Sequence, residues 1–326
     1  MVGMFQDSII FAPIRLGTKS TSAFIVKCDS NGNALWGQNS TEPSSYSLCN
    51  AWATAADNKG NGFVTGYFID TVSFGSYNLY ATNGALSNVF VVKYNANGVV
   101  QWAKQSSSGG NGWGCAVVTD SYGNVYVTGY FWYSLSFGSY YLSSSVYGTP
   151  FIVKYDSNGN LKWAKQAVFK NGGVSGSAVG ITIDKANRVY ITGTFDSTLT
   201  FASSSVYSKN QSIYITKYDT NGNVKWAKQG HPLDSNDWYG YCLSADENNH
   251  IFLSGSSDGL SNYKLFWSPD TLKMPHSSNN VVSFVVEFDT SGKALRNSMV
   301  IDCSDGNSYD GCQIGHLSLQ ASNKLL

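Results

Sequence analysis

The chain has 326 residues, of which 42% are hydrophobic, 14% aromatic and only 13% charged. Its 21 basic residues equal its 21 acidic residues, so no net charge attracts a polyanion, which argues against nucleic acid as a partner. No apolar run approaches the ~20 residues needed to cross a bilayer, so the sequence predicts no membrane span.

The chain begins with MVGMFQDSIIFAP, which has neither a basic n-region nor a small-residue cleavage site. A secretion signal is therefore not present in this chain. We expect either that the protein does not use that route, or that a leader has been removed or left out.

One phrase then recurs along the sequence at nearly even intervals, which is the signature of a repeat architecture. It combines a segment such as VYVTGYF with a later segment such as YDSNGNLKWAKQ. The recurring glycines are Gly66, Gly129, Gly193 and Gly255, and the recurring tryptophans are Trp36, Trp102, Trp163 and Trp226. The same short unit of structure is therefore expected several times.

The clearest unit predicts four strands, since apolar and polar residues alternate and turn residues separate the runs. The predicted strands are Gly114 to Asp120, Val125 to Phe131, Phe151 to Tyr155 and Leu161 to Gln166. A variable segment between the second and third strands carries LSFGSYYL. No stretch has a convincing helical period, so the sequence predicts an all-β fold.

Individual residues of the phrase have predicted structural roles. Asn-Gly suits a hairpin turn that needs positive φ, and the Asp before it can cap the turn. Thr-Gly inside the second strand indicates a bulge or a close backbone approach. The recurring Trp is expected to pack between neighbouring sheets.

The combined pattern VYVTGYF…LSFGS…FIVKYDSNGNLKWAKQ resembles the bacterial-type β-propeller repeat called the SBBP repeat. The resemblance covers nearly the whole chain. It implies a β-propeller, usually in secreted or surface proteins, and implies little about ligand or chemistry. Four-stranded units repeated in this way are typical of propeller blades.

The sequence therefore predicts a single domain, 1–326, that forms a five-bladed β-propeller of four-stranded antiparallel blades. We number the full repeats 1 to 4: they are 46–105, 113–166, 174–229 and 239–301. The N- and C-terminal segments, 1–39 and 310–326, are predicted to share one further blade, the closing repeat. In it Gly3 takes the place of Gly129. The alternatives are an excerpt from a longer array, or completion of the blade by a second copy.

Aromatic and polar residues in the loops between blades suggest a ligand or partner surface, because such side chains suit stacking on sugars and binding to proteins. The candidates are Trp52, Trp113, Asp237, Trp238 and Tyr239. The competing interpretation is that these rings pack between blades.

Two sequons, at Asn39 and Asn210, are candidate N-glycosylation sites in loops or at strand ends. Cys303 and Cys312 flank a short loop and are a candidate disulfide. Cys49 with Cys312 is a rival pair, and the sequence leaves the connectivity open.

The sequence gives no metal, cofactor or catalytic site. The four histidines are far apart, and tight-turn chemistry accounts for the DSNGN segments without calcium, because no acidic residue follows at the twelfth position. The repeated aspartates are turn formers, since a catalytic residue should break a repeat and not follow it. The histidines, expected to be solvated or in loops, are His231, His250, His276 and His316.

Three functions therefore compete. The first is a non-enzymatic extracellular or cell-surface structural and interaction propeller, a subunit of a larger assembly or filament that binds a protein partner or itself. The second is a carbohydrate-binding, lectin-like propeller. The third is an enzyme, which would need convergent carboxylates that the sequence does not indicate. The sequence favours the first.

Overall fold

The computed structural model describes residues 1–44, 46–81, 86–107, 109–170, 175–232, 238–257, 264–267, 270–273 and 282–302. In these ranges the chain forms antiparallel β-sheets and turns and contains no helix, which confirms the predicted all-β class. The chain divides into two compact units. The first comprises Met1–Tyr147 with Phe151–Lys165, and the second Gly148–Pro150 with Gln166–Leu326.

The first unit carries the sheets of the N-terminal segment and of repeats 1 and 2. Its strands are β1 (Val2–Phe5), β2 (Ser8–Phe11), β3 (Ile14–Gly17), β4 (Ser22–Cys28), β5 (Ala34–Asn39), β6 (Leu48–Ala56), β7 (Gly62–Ile69), β8 (Thr71–Phe74), β9 (Tyr77–Tyr80), β10 (Asn88–Tyr94), β11 (Val100–Gln105), β12 (Gly112–Thr119), β13 (Val125–Phe131), β14 (Ser134–Phe137), β15 (Tyr140–Ser143), β16 (Thr149–Tyr155) and β17 (Leu161–Gln166). The sheet orders are β1-β4-β5, β6-β7-β10-β11 and β12-β13-β16-β17. The second and fourth strands predicted for repeat 2 coincide with β13 and β17, and the other two overlap β12 and β16.

The second unit carries the sheets of repeats 3 and 4. Its strands are β18 (Val168–Lys170), β19 (Gly180–Ile183), β20 (Val189–Phe201), β21 (Ser204–Tyr218), β22 (Val224–Gln229), β23 (His231–Pro232), β24 (Trp238–Ala245), β25 (Ile251–Ser257), β26 (Lys264–Trp267), β27 (Asp270–Lys273), β28 (Val282–Phe288) and β29 (Ala294–Asp302). The sheet orders are β18-β20-β21-β22, with β19 also paired to β20, and β24-β25-β28-β29, beside a small sheet β23-β26-β27.

The variable segment between the second and third strands has a regular structure that the sequence did not predict. It forms a second hairpin, as in β14–β15, where Phe137 pairs with Tyr140. Phe137 is buried and packs on Phe151 of the third strand, with ring centroids 5.3 Å apart. The hairpins β2–β3 and β8–β9 place Phe11 and Phe74 against their own sheets in the same way. An apolar anchor therefore fixes each hairpin.

The glycine in the second strand has a steric role. The register of β12 on β13 shifts between Gly114 and Ala116, so Cys115 is a bulge residue. A Cβ atom built on Gly129 would lie 1.8 Å from the carbonyl oxygen of Trp113. The equivalent distance at Gly66 is 1.9 Å, to the Asn50 oxygen. Both the predicted bulge and the predicted close approach are confirmed, and no side chain fits there.

The Asp-capped turns are confirmed, but the expected Asn-Gly geometry was partly wrong. Asp156 Oδ1 accepts hydrogen bonds from the backbone N–H groups of Asn158 and Asn160, at 3.0 and 2.8 Å. Gly159 has φ +79°, whereas Asn158 has no positive φ. The turn is therefore a type I turn closed by a left-handed glycine, the three-residue hairpin loop. Only the glycine uses its backbone freedom.

The apolar core lies between consecutive sheets within each unit. In the first unit Val89 and Val91 of repeat 1 are buried in one cluster with Val127 and Val153 of repeat 2. In the second unit β21 of repeat 3 joins β25 and β28 of repeat 4 in the same way. Burying such a side chain stabilises the fold by roughly 1.5–3 kcal/mol. These consecutive sheets therefore bury apolar side chains against each other.

Candidate functional site

The recurring Trp and Lys side chains couple consecutive repeats. Trp102 Nε1 donates a hydrogen bond to the Ser157 carbonyl at 3.2 Å, and Lys93 Nζ donates to the same oxygen at 2.8 Å. Ser157 is the second residue of the Asp-capped turn of the next repeat. The most repeated residues of the sequence therefore join one repeat to the next.

The same contact occurs at two other places. In the first unit Trp36 and Lys27 both donate to the Ala96 carbonyl, at 2.8 and 3.2 Å. In the second unit Trp226 and Lys217 both donate to the Thr290 carbonyl, at 3.3 and 2.6 Å. The predicted role of the recurring Trp as a packing element between sheets is confirmed at these three positions.

The glycine of each turn makes room for the indole ring. A Cβ atom on Gly159 would lie 2.9 Å from the Trp102 ring, and one on Gly98 would lie 2.8 Å from the Trp36 ring. Lys93 Nζ also lies 5.4 Å from the centre of the Phe63 ring, a cation–π contact. Burial lowers the pKa of Lys93, and the nearby Asp57 opposes that shift. The turn residues are therefore explained by packing and hydrogen bonding.

Repeat 4 replaces this pair of donors with an ionic cluster. Glu287 stands in place of the Lys and Arg296 in place of the Trp, and Arg296 Nε donates to the Glu287 carboxylate. The other Glu287 oxygen lies 2.8 Å from His250 Nδ1, and Asp246 lies 3.5 Å from the same nitrogen. His250 was expected to be solvated or in a loop. It lies in the loop before β25 and is held by two carboxylates.

A different set of residues forms an exposed aromatic surface on repeats 1 and 2, at the strand ends that carry the bulges. Six of its seven rings contact one another in a row and the seventh stacks beside the row, with centroid separations of 4.9–6.5 Å between neighbours. We call this set the aromatic surface: Trp52, Tyr67, Trp113, Tyr130, Trp132, Tyr133 and Tyr147.

Trp113 is the centre of the aromatic surface. It stacks on Tyr130 at 5.0 Å with an interplanar angle of 28°, and meets Trp132 edge-on at 4.9 Å. Tyr67 lies edge-on to both Trp113 and Trp52, at 6.5 and 5.3 Å. The structure therefore places two residues of the predicted partner surface, Trp52 and Trp113, against the same intervening ring, that of Tyr67.

The two ends of the row are open to solvent. Trp52 is 40% exposed at one end, and Tyr133 and Tyr147 are 53% and 55% exposed at the other. The hydroxyl groups of Tyr133 and Tyr147 lie 3.2 Å apart and share a hydrogen bond, which raises the pKa of Tyr133. Burial, with the neighbouring Cys115 and Tyr67, raises the pKa of Tyr130 to about 12. The Tyr130 phenol is therefore neutral at physiological pH.

These rings break the repeat, unlike the residues that couple the sheets. The positions of Trp113, Tyr130 and Tyr133 relative to Gly129 are occupied in repeat 3, relative to Gly193, by Ser177, Thr194 and Ser197. Repeat 3 nevertheless forms the same second and third strands. The fold therefore does not require aromatic side chains at these positions.

Tyr133 also has an unfavourable backbone conformation. Its φ is +64°, and the equivalent residues Asp7, Asp70 and Ser197 have φ between +59° and +66°. Short polar side chains tolerate this region, whereas a bulky one seldom occurs there. An aromatic ring at this position has a conformational cost that the fold does not demand.

The other residues proposed for a partner surface lie in the second unit or outside the described residues. Tyr239 stacks on Tyr241 at 6.4 Å with an interplanar angle of 3°, and Tyr241 shares a 2.9 Å hydrogen bond with Ser256. Trp238 begins β24 and pairs with Ser257 through the backbone. Asp237 lies outside the described residues. The sequence missed five members of the aromatic surface: Tyr67, Tyr130, Trp132, Tyr133 and Tyr147.

The candidate glycosylation and disulfide residues have the following places. Asn39 ends β5, and its side-chain amide donates to the Ser40 carbonyl at 2.8 Å. Asn210 lies inside β21, so its expected position in a loop or at a strand end was wrong. Cys303 and Cys312 lie outside the described residues, so the structure tests neither the Cys303–Cys312 pair nor the Cys49–Cys312 pair. Cys49 itself is buried.

Within the described ranges, no group of three or more His, Cys, Asp or Glu side chains is placed to hold a metal ion. The capping Asp oxygens of the turns instead accept hydrogen bonds from their own backbone. In the same part of the chain, no helix has the length and apolar character needed to cross a bilayer. His276 and His316 lie outside it.

Comparison with known proteins gives limited similarity. No known protein-family profile matches the sequence. A stretch of 120 residues is 31% identical to an uncharacterized WD repeat-containing protein of Acanthamoeba polyphaga mimivirus. That match covers 33% of this chain and 8% of the length of the viral protein. A solved structure of a protein of unknown function from Bacteroides caccae aligns with 92% of this chain and 93% of its own, with a TM-score of 0.35 and 9% identity.

Proposed function

We propose that this chain is a non-enzymatic β-propeller module that serves structural and interaction roles. The observation that carries the proposal is the division between two kinds of residue. Those that recur join one four-stranded sheet to the next, as Trp102 and Lys93 do, and those that break the repeat form an exposed aromatic surface. Similarity to a WD repeat-containing protein supports a repeat-built propeller.

The proposed propeller has five blades, and residues 1–39 and 310–326 share the closing one. Support comes from β1: among the described residues it pairs with β4 and with no other strand, so the described part of its sheet has no counterpart of the first strand of repeat 2. Support also comes from Gly3, which pairs with Phe24 as Gly66 pairs with Phe90. The nearest described atoms to a Cβ built on Gly3 all belong to the Phe24 ring. A glycine therefore stands where other repeats receive a first-strand carbonyl.

Backbone hydrogen exchange at β1 tests this proposal. Met1 and Val26 exchange both backbone hydrogen bonds, at 2.8 and 2.9 Å, so the N–H groups of Val2 and Met4 point away from β4. We expect these two amides to exchange at least ~100-fold more slowly than unstructured ones, because a further strand pairs with them.

The concentration dependence of that protection, followed with light scattering, identifies the partner strand. Protection that is constant with dilution in a monomer supports a self-contained propeller. Protection and mass that both fall on dilution support completion by a second copy, and hence a subunit of an assembly or filament. Rapid exchange of Val2 and Met4 at every concentration would overturn the closing blade.

The proposal includes an extracellular or cell-surface location, which the resemblance to the SBBP repeat supports. Mass spectrometry of material purified from its natural source tests it through glycans on Asn39 or Asn210. The partner of the aromatic surface would be another protein or a saccharide. The absence of charged residues from the stretches that carry the seven rings favours the saccharide.

A further inference from the structure

We infer that the aromatic surface binds a neutral oligosaccharide, and this inference rests on the proposed interaction function. The seven rings are dispensable for the fold, since repeat 3 replaces three of them with Ser177, Thr194 and Ser197. They are partly exposed, and Tyr133 adopts positive φ. The equivalent residues share this φ, so the conformation belongs to the fold; the choice of a bulky side chain there, at a conformational cost, is what indicates a function.

The stretches of sequence that carry the seven rings contain no charged residues. Residues 121–153 contain no Asp, Glu, Lys, Arg or His, and neither do 105–119, 60–69 or 43–56. All seven rings lie in these stretches. These stretches offer no cation to a phosphate or carboxylate ligand and no charge that could pair with a charged protein partner. A neutral ligand suits this surface.

The chemistry that the surface offers matches a pyranose. An aromatic face carries partial negative charge, which attracts the slightly positive C–H groups on one face of a sugar ring. The sugar hydroxyls need hydrogen-bond partners at the edges, and the paired hydroxyls of Tyr133 and Tyr147 keep one proton free to donate. The surface therefore combines aromatic faces for the C–H groups of a sugar with tyrosine hydroxyls for its O–H groups.

The arrangement favours an oligosaccharide over a single sugar. The rings form a row from Trp52 to Tyr147, and neighbouring centroids are 4.9–6.5 Å apart. That spacing is comparable with the length of one sugar unit in a chain. Both ends of the row are exposed, so a bound chain can extend in either direction.

The test uses the full chain and four neutral probes: the hexasaccharides of cellulose, mannan, starch and chitin. Binding is measured by titration calorimetry and by saturation-transfer NMR. Repeat 3 supplies the variants, Trp113→Ser, Tyr130→Thr and Tyr133→Ser, because the same backbone positions already carry these residues there. The control is Tyr122→Ala, which removes an exposed tyrosine of the same repeat that lies in the turn between β12 and β13.

We expect at least one probe to bind, with affinity reduced about tenfold or more, equivalent to ~1.4 kcal/mol, by Trp113→Ser and by Tyr133→Ser. Tyr122→Ala should bind as the unmodified chain does. Thermal unfolding of each variant identifies any that fails to fold. If the other variants do not fold, binding by Tyr133→Ser, at an exposed position, tests the inference.

Two results would overturn the inference. One is that none of the four probes binds the folded protein, and the other is that binding survives all three substitutions. A neutral proline-rich peptide is tested beside the probes, since aromatic grooves also bind such peptides. If the peptide alone binds and the substitutions abolish its binding, the saccharide is wrong and the interaction function stands. Protection of Val2 and Met4 tests the propeller independently of either ligand.

Discussion

Repeats 2 and 3 share the order of four strands, β12-β13-β16-β17 and β19-β20-β21-β22, but differ where the second strand ends. In repeat 2 Trp113 and Tyr130 face each other across β12 and β13 and stack at 5.0 Å. At the equivalent positions in repeat 3, the hydroxyls of Ser177 and Thr194 share a 3.1 Å hydrogen bond. One backbone therefore accepts either pair, which separates what the fold needs from what a ligand would need.

The coupling contact gives the opposite result. Trp102 and Lys93 in the first unit and Trp226 and Lys217 in the second keep the same partners, although their repeats are far apart in sequence. Recurrence therefore marks residues that join sheets. Positions whose residue type does not recur, such as Trp113 and Tyr133, are free of that task and available to bind a ligand.

The largest expected effect is that of Trp102→Ala. The side chain is almost fully buried and anchors one sheet on the next, so its loss should lower the free energy of unfolding by about 3–5 kcal/mol. Urea unfolding measures the change. Trp52→Ala, at the exposed end of the aromatic surface, should cost less than about 1 kcal/mol. Equal costs for the two tryptophans would contradict the division between recurring and non-recurring residues.

Gly129→Ala should destabilise by about 3 kcal/mol, because its Cβ would lie 1.8 Å from the Trp113 carbonyl oxygen and the bulge must move. The matched control is Gly32→Ala, where no described atom lies within 4 Å of the new Cβ and only positive φ opposes it, at about 1 kcal/mol. Chemical denaturation measures the free energy of unfolding of both variants, and so compares the steric cost at Gly129 with the conformational cost at Gly32. A Gly129 variant no less stable than the control would refute the close approach.

Lys93→Met should cost about 1.5 kcal/mol, since it removes a charge-assisted hydrogen bond to Ser157 and keeps most of the apolar stem. Lys165→Met, at an exposed position of β17, should stay within about 0.5 kcal/mol. The same unfolding measurement serves both. If both variants are unchanged, Trp102 alone couples the sheets.

The smallest effect is expected in acid. At Asp219 burial opposes ionisation, but hydrogen bonds from Lys225, Asn223 and Asn221 outweigh it and lower the pKa to about 2. Because the folded pKa lies below the unfolded value of ~3.9, the turn is stabilised above pH 4 and loses this contribution as the pH falls towards 2. Unfolding midpoints between pH 5 and 2 measure the loss. In Asp219→Asn that part of the pH dependence should disappear.

The sequence by itself determined the local features of this protein. Alternation predicted β13, Asp156 and Gly159 specified a turn, and the Thr-Gly step indicated the bulge at Gly129, because each depends on residues close together along the chain. The hairpin at β14–β15 was missed, since its anchor Phe137 is explained only by the buried surface of Phe151 beneath it.

Which side chains contact each other across repeats was decided by the tertiary structure alone. Trp102 and Lys93 share one carbonyl that lies 55 and 64 residues further along the chain, and the edge of Trp113 meets Tyr67 from another sheet. No local preference encodes such pairs. They follow from the stacking of one sheet on the next, which fixes the side chains that are buried between sheets and leaves those at the strand ends exposed and free to differ.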